Sequence, residues 1–320
     1  MMRVFQILML RRWRRVLAGL FSGGLLLALT ACSQPKPLQV GIHPWLGYQP
    51  LQLAEQNGLL PKSVELQPNR TALETQQGLA SGELDAGYLT LDEVLGGIDQ
   101  GTPLKVVLVA DISAGADRVI SQQPITGRED IIGKTIVYEK GAVGELMLAA
   151  FLEHHGVMAS EVTLKNVPYD AHLAHWKTHR PDFIISFDPV AIQVLRAGGV
   201  SVFDSRAMPE TIVDVLAVRE SVLGENCDAI QAMVKGHFAG LNLIKQNFQD
   251  ASYQIADNLG LTQAEVVRSL GGLSLPSYEM NQKMLMNGFS NRVTHVAETM
   301  VAAGLLSKVP KAPLQDGRCL

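Results

Sequence analysis

The sequence has few cysteines and none of the short motifs that mark a catalytic site. Only three of its 320 residues are cysteines, namely Cys32, Cys227 and Cys319. It contains no nucleophile elbow, no zincin motif, no dinucleotide fingerprint and no phosphate loop. An enzyme function therefore has no set of residues to carry it, and we expect neither a cofactor nor a metal.

Positive charge is scarce once the N-terminus is set aside. The whole chain has a formal net charge of −4. Residues 1–31 contain five arginines and no acidic residue, so the remainder has 22 basic against 31 acidic residues, a net charge of −9. Such an acidic chain argues against binding to nucleic acid, and against electrostatic attraction to anionic lipid.

Residues 1–31 have the pattern of a bacterial export signal. Five arginines flank the start of an apolar stretch at residues 16–29, which is too short for a comfortable membrane span. Small residues then precede Cys32, as in a lipobox. We predict cleavage before Cys32, its acylation (palmitate among the chains) and a lipid-anchored protein facing the periplasm, or the cell surface in a single-membrane host. Residues 32–37 would form the tether. The alternative is an ordinary signal peptide with an incidental cysteine.

Short apolar strands then alternate with capped helices. Strands are predicted at residues 38–42, 64–66, 84–89 and 104–110, and capping boxes begin at Thr71 and Thr90. The same alternation continues from residue 134 to residue 218, and the chain is mostly helical after residue 226. This order predicts an α/β fold with doubly wound, mostly parallel sheets.

The two blocks predict two lobes with a cleft between them. Lobe 1 would contain residues 38–117 and 219–320, and lobe 2 residues 118–218. Extended crossovers near residues 117–122 and 211–218 would join them and provide a hinge.

Candidate ligand-binding residues follow from where the predicted strands end, because ligands of such sheets lie at the carboxyl ends of the strands. In lobe 1 the loops at residues 43–48, 89–92 and 111–117 would converge on one rim. The candidates there are Trp45, Gly47, Tyr48, Thr90, Asp92, Asp111, Ser113 and Asp117. In lobe 2 and the returning crossover they are Gly141, Ala142, Val143, Gly144, Phe187, Asp188 and Asp214.

Several of these candidates have a structural alternative. Thr90 can cap its own helix while the helix start offers N–H groups to a ligand. Asp117 can tie the hinge together, and Asp188 can act as a helix cap. Asp214 lies within an apolar strand, where an acidic group is costly without a partner, so it is either a hinge tie or a ligand anchor.

The histidines and the late cysteines allow two interpretations each. His172, His175 and His179 would share one helical face, but no known zinc pattern completes a metal site, so a solvated polar face is favoured. Cys227 and Cys319 can form a disulfide in an oxidising compartment or remain free.

Seven segments in order resemble one family over nearly the whole chain after residue 32. They include GIHPWLGYQPLQLAEQNGLL (41–60), LASGELDAGYLTLDEVL (79–95), LKVVLVADISAGAD (104–117) and IIGKTIVYEKGAVGELML (131–148). The others are at residues 187–195, 202–219 and 297–306. The set resembles the sulfonate/nitrate/hydroxymethylpyrimidine type of solute-binding proteins that serve ABC importers. The resemblance implies the type II periplasmic binding fold, with ligand trapped between two lobes and passed to a permease.

The resemblance and the rim residues together define the expected function. We expect an ABC-transporter lipoprotein that captures a small polar organic solute, amine-bearing or heterocyclic, since rim carboxylates argue against nitrate or sulfate as the sole ligand. One alternative is a sensor that reports its ligand to a membrane receptor. A weaker one is a pyrimidine-synthase-like enzyme, which this family also includes; those enzymes use a cysteine-rich motif that is absent here.

Overall fold

The computed structural model describes residues 36–311 together with 314, 315 and 319. The predicted signal segment 1–31 and Cys32 lie outside the described residues. Within the described part of the chain, no helix is both long and apolar enough to cross a membrane.

The first sheet has six strands and is mixed. Its strands are β1 (Leu38–Ile42), β2 (Val64–Pro68), β3 (Ala86–Thr90), β4 (Leu104–Ser113), β10 (Val213–Arg219) and β11 (Leu273–Ser274). Their order across the sheet is β11-β4-β10-β3-β1-β2. β1 is parallel to β2 and β3, whereas β10 runs antiparallel between β3 and β4.

The second sheet has five strands. They are β5 (Asp117–Ser121), β6 (Thr135–Tyr138), β7 (Thr163–Asn166), β8 (Phe183–Phe187) and β9 (Val200–Asp204), in the order β7-β6-β8-β5-β9. β6 is parallel to β7 and β8, and β5 is antiparallel to β8 and β9. β10, which the sequence division included in lobe 2, thus lies in the first sheet.

Helices follow most strands and supply much of the buried surface. They are α1 (Gln49–Gln56), α2 (Ala72–Ser81), α3 (Leu91–Asp99), α4 (Val143–His154), α5 (His172–His179), α6 (Val190–Arg196), α7 (Cys227–Gln246), α8 (Phe248–Leu259), α9 (Gln263–Leu270), α10 (Tyr278–Asn287) and α11 (Phe289–Ala302). The predicted cap of α2 is present, since the Glu74 N–H donates to Thr71 Oγ1 over 3.2 Å. The β4 run of Leu and Val is fully buried, as its continuous apolar sequence predicts.

One detail of the predicted fold is wrong. The helix expected over residues 281–304 is two helices, α10 and α11, which meet at Gly288. The extended crossover predicted at residues 117–122 is strand β5, which pairs antiparallel with β8 and β9. Most strands of each sheet run in one direction, as predicted, and β10 and β5 are inserted against their neighbours. Where these two strands insert depends on pairing between distant segments, which local periodicity does not report.

The C-terminal segment is fastened to the first sheet. The Val106 N–H of β4 donates to the Leu314 carbonyl over 2.8 Å, and Val106 bridges Gln315. Cys319 is fully buried and forms a disulfide with Cys227 at the start of α7. Of the two interpretations that the sequence left open for these cysteines, the structure shows the paired form.

Candidate functional site

The facing edges of the two sheets bring the candidate residues together. On the first sheet, Asp214 of β10 lies in register between Thr90 of β3 and Asp111 of β4. On the second sheet, Asp117 of β5 lies opposite Phe187 of β8. β10 and β5 are antiparallel to the strands beside them. The first residues of β10 and β5 therefore lie at the same sheet edge as the last residues of β3, β4 and β8. Acidic groups from strands far apart in sequence therefore meet at this edge.

A small cavity lies between these edges, and residues from both sheets line it. Its lining residues are His43, Trp45, Tyr48, Thr90, Glu93, Asp117, Val143, Phe187 and Asp214. A second cavity adjoins it through Asp117, Val143 and Phe187. Each has a volume of about 10 Å³, which accommodates one water-sized group. In this conformation the site is closed tightly around its own side chains.

Tyr48 and Asp214 form the floor of the first cavity. The Tyr48 hydroxyl donates to Asp214 Oδ1, while Asp214 Oδ2 is buried and has no hydrogen-bond partner. Tyr48 stacks on Tyr88 with ring centroids 4.5 Å apart, and the Tyr88 hydroxyl bonds His237 Nδ1 over 2.8 Å. This stack holds the Tyr48 ring in place, so its hydroxyl donates to Asp214 in a fixed direction.

Trp45 lines the cavity and is fixed from behind by Asp111. The Trp45 Nε1–H donates to Asp111 Oδ2 over 3.0 Å. Gly47 is required for this arrangement, because a Cβ at position 47 would lie 1.6 Å from Asp111 Oδ2. Asp111 and Gly47 thus support the aromatic wall without lining the cavity themselves, and the close approach at Gly47 is to a carboxylate of the chain.

Glu93 joins the helices on the two sides of the cavity. It is buried in the first turn of α3, where its Oε2 accepts from the Thr90 N–H over 2.9 Å, as in the predicted capping box. Its Oε1 accepts from the Val143 N–H over 3.2 Å, at the start of α4. The N–H of Val143, one of the candidate ligand-binding residues, is therefore bonded within the chain. A carboxylate at this helix N-terminus also complements the helix dipole.

Two more contacts connect the sheets' helices beside the cavity. Arg70 Nη1 lies 3.2 Å from Asp170 Oδ2, and Gln76 Nε2 donates to the Gly141 carbonyl over 3.0 Å. Gly141 is exposed and does not line the cavity. With the Glu93 bridge, these contacts span the gap between the two halves of the site.

The second cavity contains two groups that the sequence did not single out as ligand residues. Glu139 follows β6 and is buried; its Oε1 accepts from the Tyr169 N–H over 3.0 Å, and its Oε2 has no partner. His172 is also buried, bonding Ser186 Oγ over 3.1 Å and the Val167 carbonyl over 3.0 Å. The solvated histidine face predicted for α5 is therefore wrong at His172, because the start of that helix packs against β8.

Asp188 lies outside both cavities in a buried ion pair. Its Oδ1 accepts from Arg118 Nη1, and its Oδ2 accepts from the Ser269 hydroxyl over 2.6 Å. Arg118 belongs to β5 and Ser269 to α9, so Asp188 connects the second sheet to the C-terminal helices.

The fifteen candidate residues have different positions relative to the two cavities. Seven of the fifteen line the first cavity, namely Trp45, Tyr48, Thr90, Asp117, Val143, Phe187 and Asp214. Gly144 lines the second cavity. Ser113 bonds Ser205 Oγ over 2.8 Å in the connection between the sheets. Asp92 and Ala142 are buried nearby without lining either cavity.

Sequence reasoning missed His43, Glu93 and Glu139 as lining residues. His43 directly follows β1 and Glu139 directly follows β6, so the strand-end rule that selected their neighbours applies to them too. Glu93 is harder to find, because its capping-box position already accounts for it.

Burial shifts the titration of these groups toward neutral forms. It raises the pKa of Asp117 to about 7 and that of Glu139 to about 7. It also raises the pKa values of Glu93 and Asp214, where neighbouring carboxylates add to the effect. Burial lowers the pKa of His43 to about 3, so its imidazole is neutral. The two cavities are thus lined by several acidic groups whose raised pKa values keep them partly protonated near pH 7.

We expect the unliganded protein to lose stability as the pH rises from 6.5 to 8. Asp117 and Glu139 retain protons that the unfolded chain has released, so the free energy of unfolding should fall by about 1 kcal/mol for each. The buried His43, His172 and His237 have lowered pKa values and act in the opposite sense, by about 1 kcal/mol together over this range, because the unfolded imidazoles release their remaining protons above 6.5. The raised pKa values of Glu93 and Asp214 add to the fall and keep its sign. Urea denaturation at both pH values measures the change; a higher stability at pH 8 would contradict it.

The arrangement of two sheets flanked by helices is the periplasmic binding protein fold. Three solved structures share this fold with TM-scores of 0.66 to 0.73. The ligand-binding component of an ABC-type import system from Staphylococcus aureus has TM-score 0.73 at 13% identity, covering 89% of this chain and 97% of its own. The alkanesulfonate-binding protein of Xanthomonas axonopodis pv. citri has 0.70 at 16%, covering 88% and 97%.

The third is the periplasmic nitrate-binding protein of Synechocystis PCC 6803, with TM-score 0.66 at 13% identity, covering 85% of this chain and 82% of its own. The NMT1-like family model matches residues 31–257. The chain belongs to the NMT1-like family. The resemblance drawn from the sequence is thereby confirmed.

A curated relative agrees with this assignment. The taurine-binding periplasmic protein of Escherichia coli (strain K12) is 25% identical over 162 residues, which are 50% of this chain and 50% of the relative. The chain thus spans about half the length of the curated relative that it matches.

Proposed function

We propose that this protein captures a small polar organic solute between its two sheets and delivers it to the membrane permease of an ABC importer. The observation that carries the proposal is the cavity itself, which is lined from both sheets and bridged by Glu93. A site made by two halves that meet around a solute can signal occupancy through its closure. The fold, the family and the taurine-binding relative support the same role.

We further propose that the two lobes predicted from the sequence are the two sheets with their attached helices, joined by the connections after β4 and after β9. We also propose that the protein is exported and held at the membrane by acyl chains on Cys32. The basic and apolar segment before that residue supports the anchor. Mass spectrometry of the mature N-terminus tests it, and an N-terminus at another residue would contradict it.

Closure around a solute is tested by small-angle scattering on the full chain in detergent, with taurine, propanesulfonate, nitrate and 1,4-diaminobutane as probes. We expect at least one probe to reduce the radius of gyration and to raise the melting temperature. Glu93→Ala removes the bridge to Val143, so it should enlarge the unliganded form, whereas Glu83→Ala at an exposed position should not. If no probe changes either quantity, the solute-binding proposal is contradicted.

A further inference from the structure

The two cavities are lined by acidic side chains without opposing basic ones. Glu93, Asp117 and Asp214 line the first cavity, and Asp117 and Glu139 line the second. Neither lining includes a lysine or an arginine. Arg118, which follows Asp117 in the chain, is paired with Asp188. A ligand is therefore the remaining source of positive charge for this site.

The buried atoms that lack hydrogen-bond partners identify what the site is missing. Asp117 Oδ2, Asp214 Oδ2 and Glu139 Oε2 are all buried and unpartnered. Each of these oxygens is an acceptor when ionised, and an unmatched buried acceptor costs on the order of 1–3 kcal/mol. His43 Nδ1 also lines the first cavity without a partner. What would satisfy the three oxygens is a group that supplies several N–H donors.

An anion does not fit these surroundings. The helix start of α4 could receive an anion, but its Val143 N–H already binds Glu93 Oε1 over 3.2 Å. A sulfonate or nitrate there would have to displace Glu93 and would then lie beside Asp117 and Asp214, whose ionised forms would repel it. Like charges at such distances are strongly unfavourable in a desolvated site.

A metal ion does not fit either, whereas an organic cation does. Among the described residues, no three His, Cys, Asp or Glu side chains converge as metal ligands. The first cavity has aromatic walls instead, with Trp45 and Phe187 edge to face at 5.6 Å and Tyr48 beside them. Aromatic faces attract alkylated ammonium groups. The volume of about 10 Å³ matches a group of the size of water, such as an ammonium head.

We propose that the site binds the ammonium head of a small organic cation, with Asp117 and Asp214 as its charge partners. Trp45, Tyr48 and Phe187 would surround the carbon atoms next to the nitrogen. The inference rests on the proposed solute-binding function and specifies the class of solute.

Isothermal titration calorimetry on the full chain in detergent tests the proposal. The probes are three protonated amines (ethanolamine, 1,4-diaminobutane and agmatine), two oxyanions (propanesulfonate and nitrate) and the zwitterion taurine. We expect at least one amine to bind with 1:1 stoichiometry and no propanesulfonate or nitrate to bind. The affinity for the amine should rise between pH 6 and pH 8, as the Asp117 pKa, raised to about 7, is passed and negative charge develops on that carboxyl.

Isosteric variants separate a charge partner from a structural residue. Asp117→Asn and Asp214→Asn should each weaken amine binding by about 100-fold, because the charge pair is lost. Both variants should remain folded and be at least as stable without ligand, since they remove a buried, unpaired carboxyl. Asp257→Asn, at an exposed position of α8, is the matched control and should bind like the unchanged protein.

The possible outcomes separate this proposal from the function on which it rests. Binding of propanesulfonate or nitrate, strengthened by Asp117→Asn, would overturn the cation proposal and leave solute capture intact. Amine binding that Asp117→Asn and Asp214→Asn leave unchanged would also overturn it, because the amine would then lie elsewhere. If no amine binds, the cation proposal is wrong, and compaction with any other probe would still support solute capture.

Discussion

Replacement of Asp188 by alanine is expected to destabilise the protein by about 3–5 kcal/mol. The substitution leaves the Arg118 guanidinium, only 16% exposed, without its carboxylate, and it leaves the Ser269 hydroxyl without its acceptor. Removing one partner of a buried pair costs far more than the pair contributes, because an uncompensated charge remains buried. Guanidinium denaturation monitored by circular dichroism measures the loss.

A surface ion pair provides the control for this experiment. Asp204→Ala removes the partner of Arg206, whose side chain is 73% exposed, together with the bond that Asp204 accepts from the Arg206 N–H, and should cost about 1 kcal/mol. The double variant Arg118→Met with Asp188→Ala should recover part of the lost stability, because no charge is left unpaired. Equal losses for Asp188→Ala and Asp204→Ala would show that the Asp188 pair is not effectively buried.

Loss of the disulfide is expected to have an effect of similar size. The Cys227–Cys319 bridge closes a loop with a sequence separation of 92, and the chain-entropy model assigns such a loop about 4.6 kcal/mol. Cys227→Ser combined with Cys319→Ser removes it and should also weaken the pairing of Leu314 with Val106. Denaturant midpoints compared at constant slope give the change in stability.

Reduction of the unchanged protein with dithiothreitol is the matched control, since it opens the same loop without a substitution. The reduced protein and the double variant should lose the same stability, and the double variant should be insensitive to the reductant. A loss below about 1 kcal/mol in both would mean that the C-terminal segment is held by its packing alone.

Much of the fold follows from local sequence patterns. The continuous apolar run of β4 and the capping boxes at Thr71 and Thr90 place strands and helices close to where the structure has them. Asp214 was also predictable as an exceptional residue, because an acid within an apolar strand requires a partner. Its partner, Tyr48, lies 166 residues away in the chain, and no local pattern identifies that pairing.

The parts that could not be predicted depend on contacts between distant segments. β10 has an ordinary strand sequence, and nothing local says that it runs antiparallel between β3 and β4. Glu93 has a complete local explanation as a helix cap, which conceals its second bond to Val143. His172 lies on a helix of low amphipathicity, so its burial follows from the packing of Ser186 and Val167 around it.

The Glu93–Val143 bond affects how well a membrane partner could distinguish the protein without solute from the protein with solute bound. A solute shifts the balance between open and closed forms only through interactions that differ between them. The Glu93–Val143 bond joins two groups of the protein itself, so it favours closure equally with and without a solute. A membrane partner that recognised the closed shape alone would respond to empty protein as background. The difference between loaded and empty protein must then come from the crowded carboxylates. Their mutual repulsion opposes closure until a positively charged solute neutralises it.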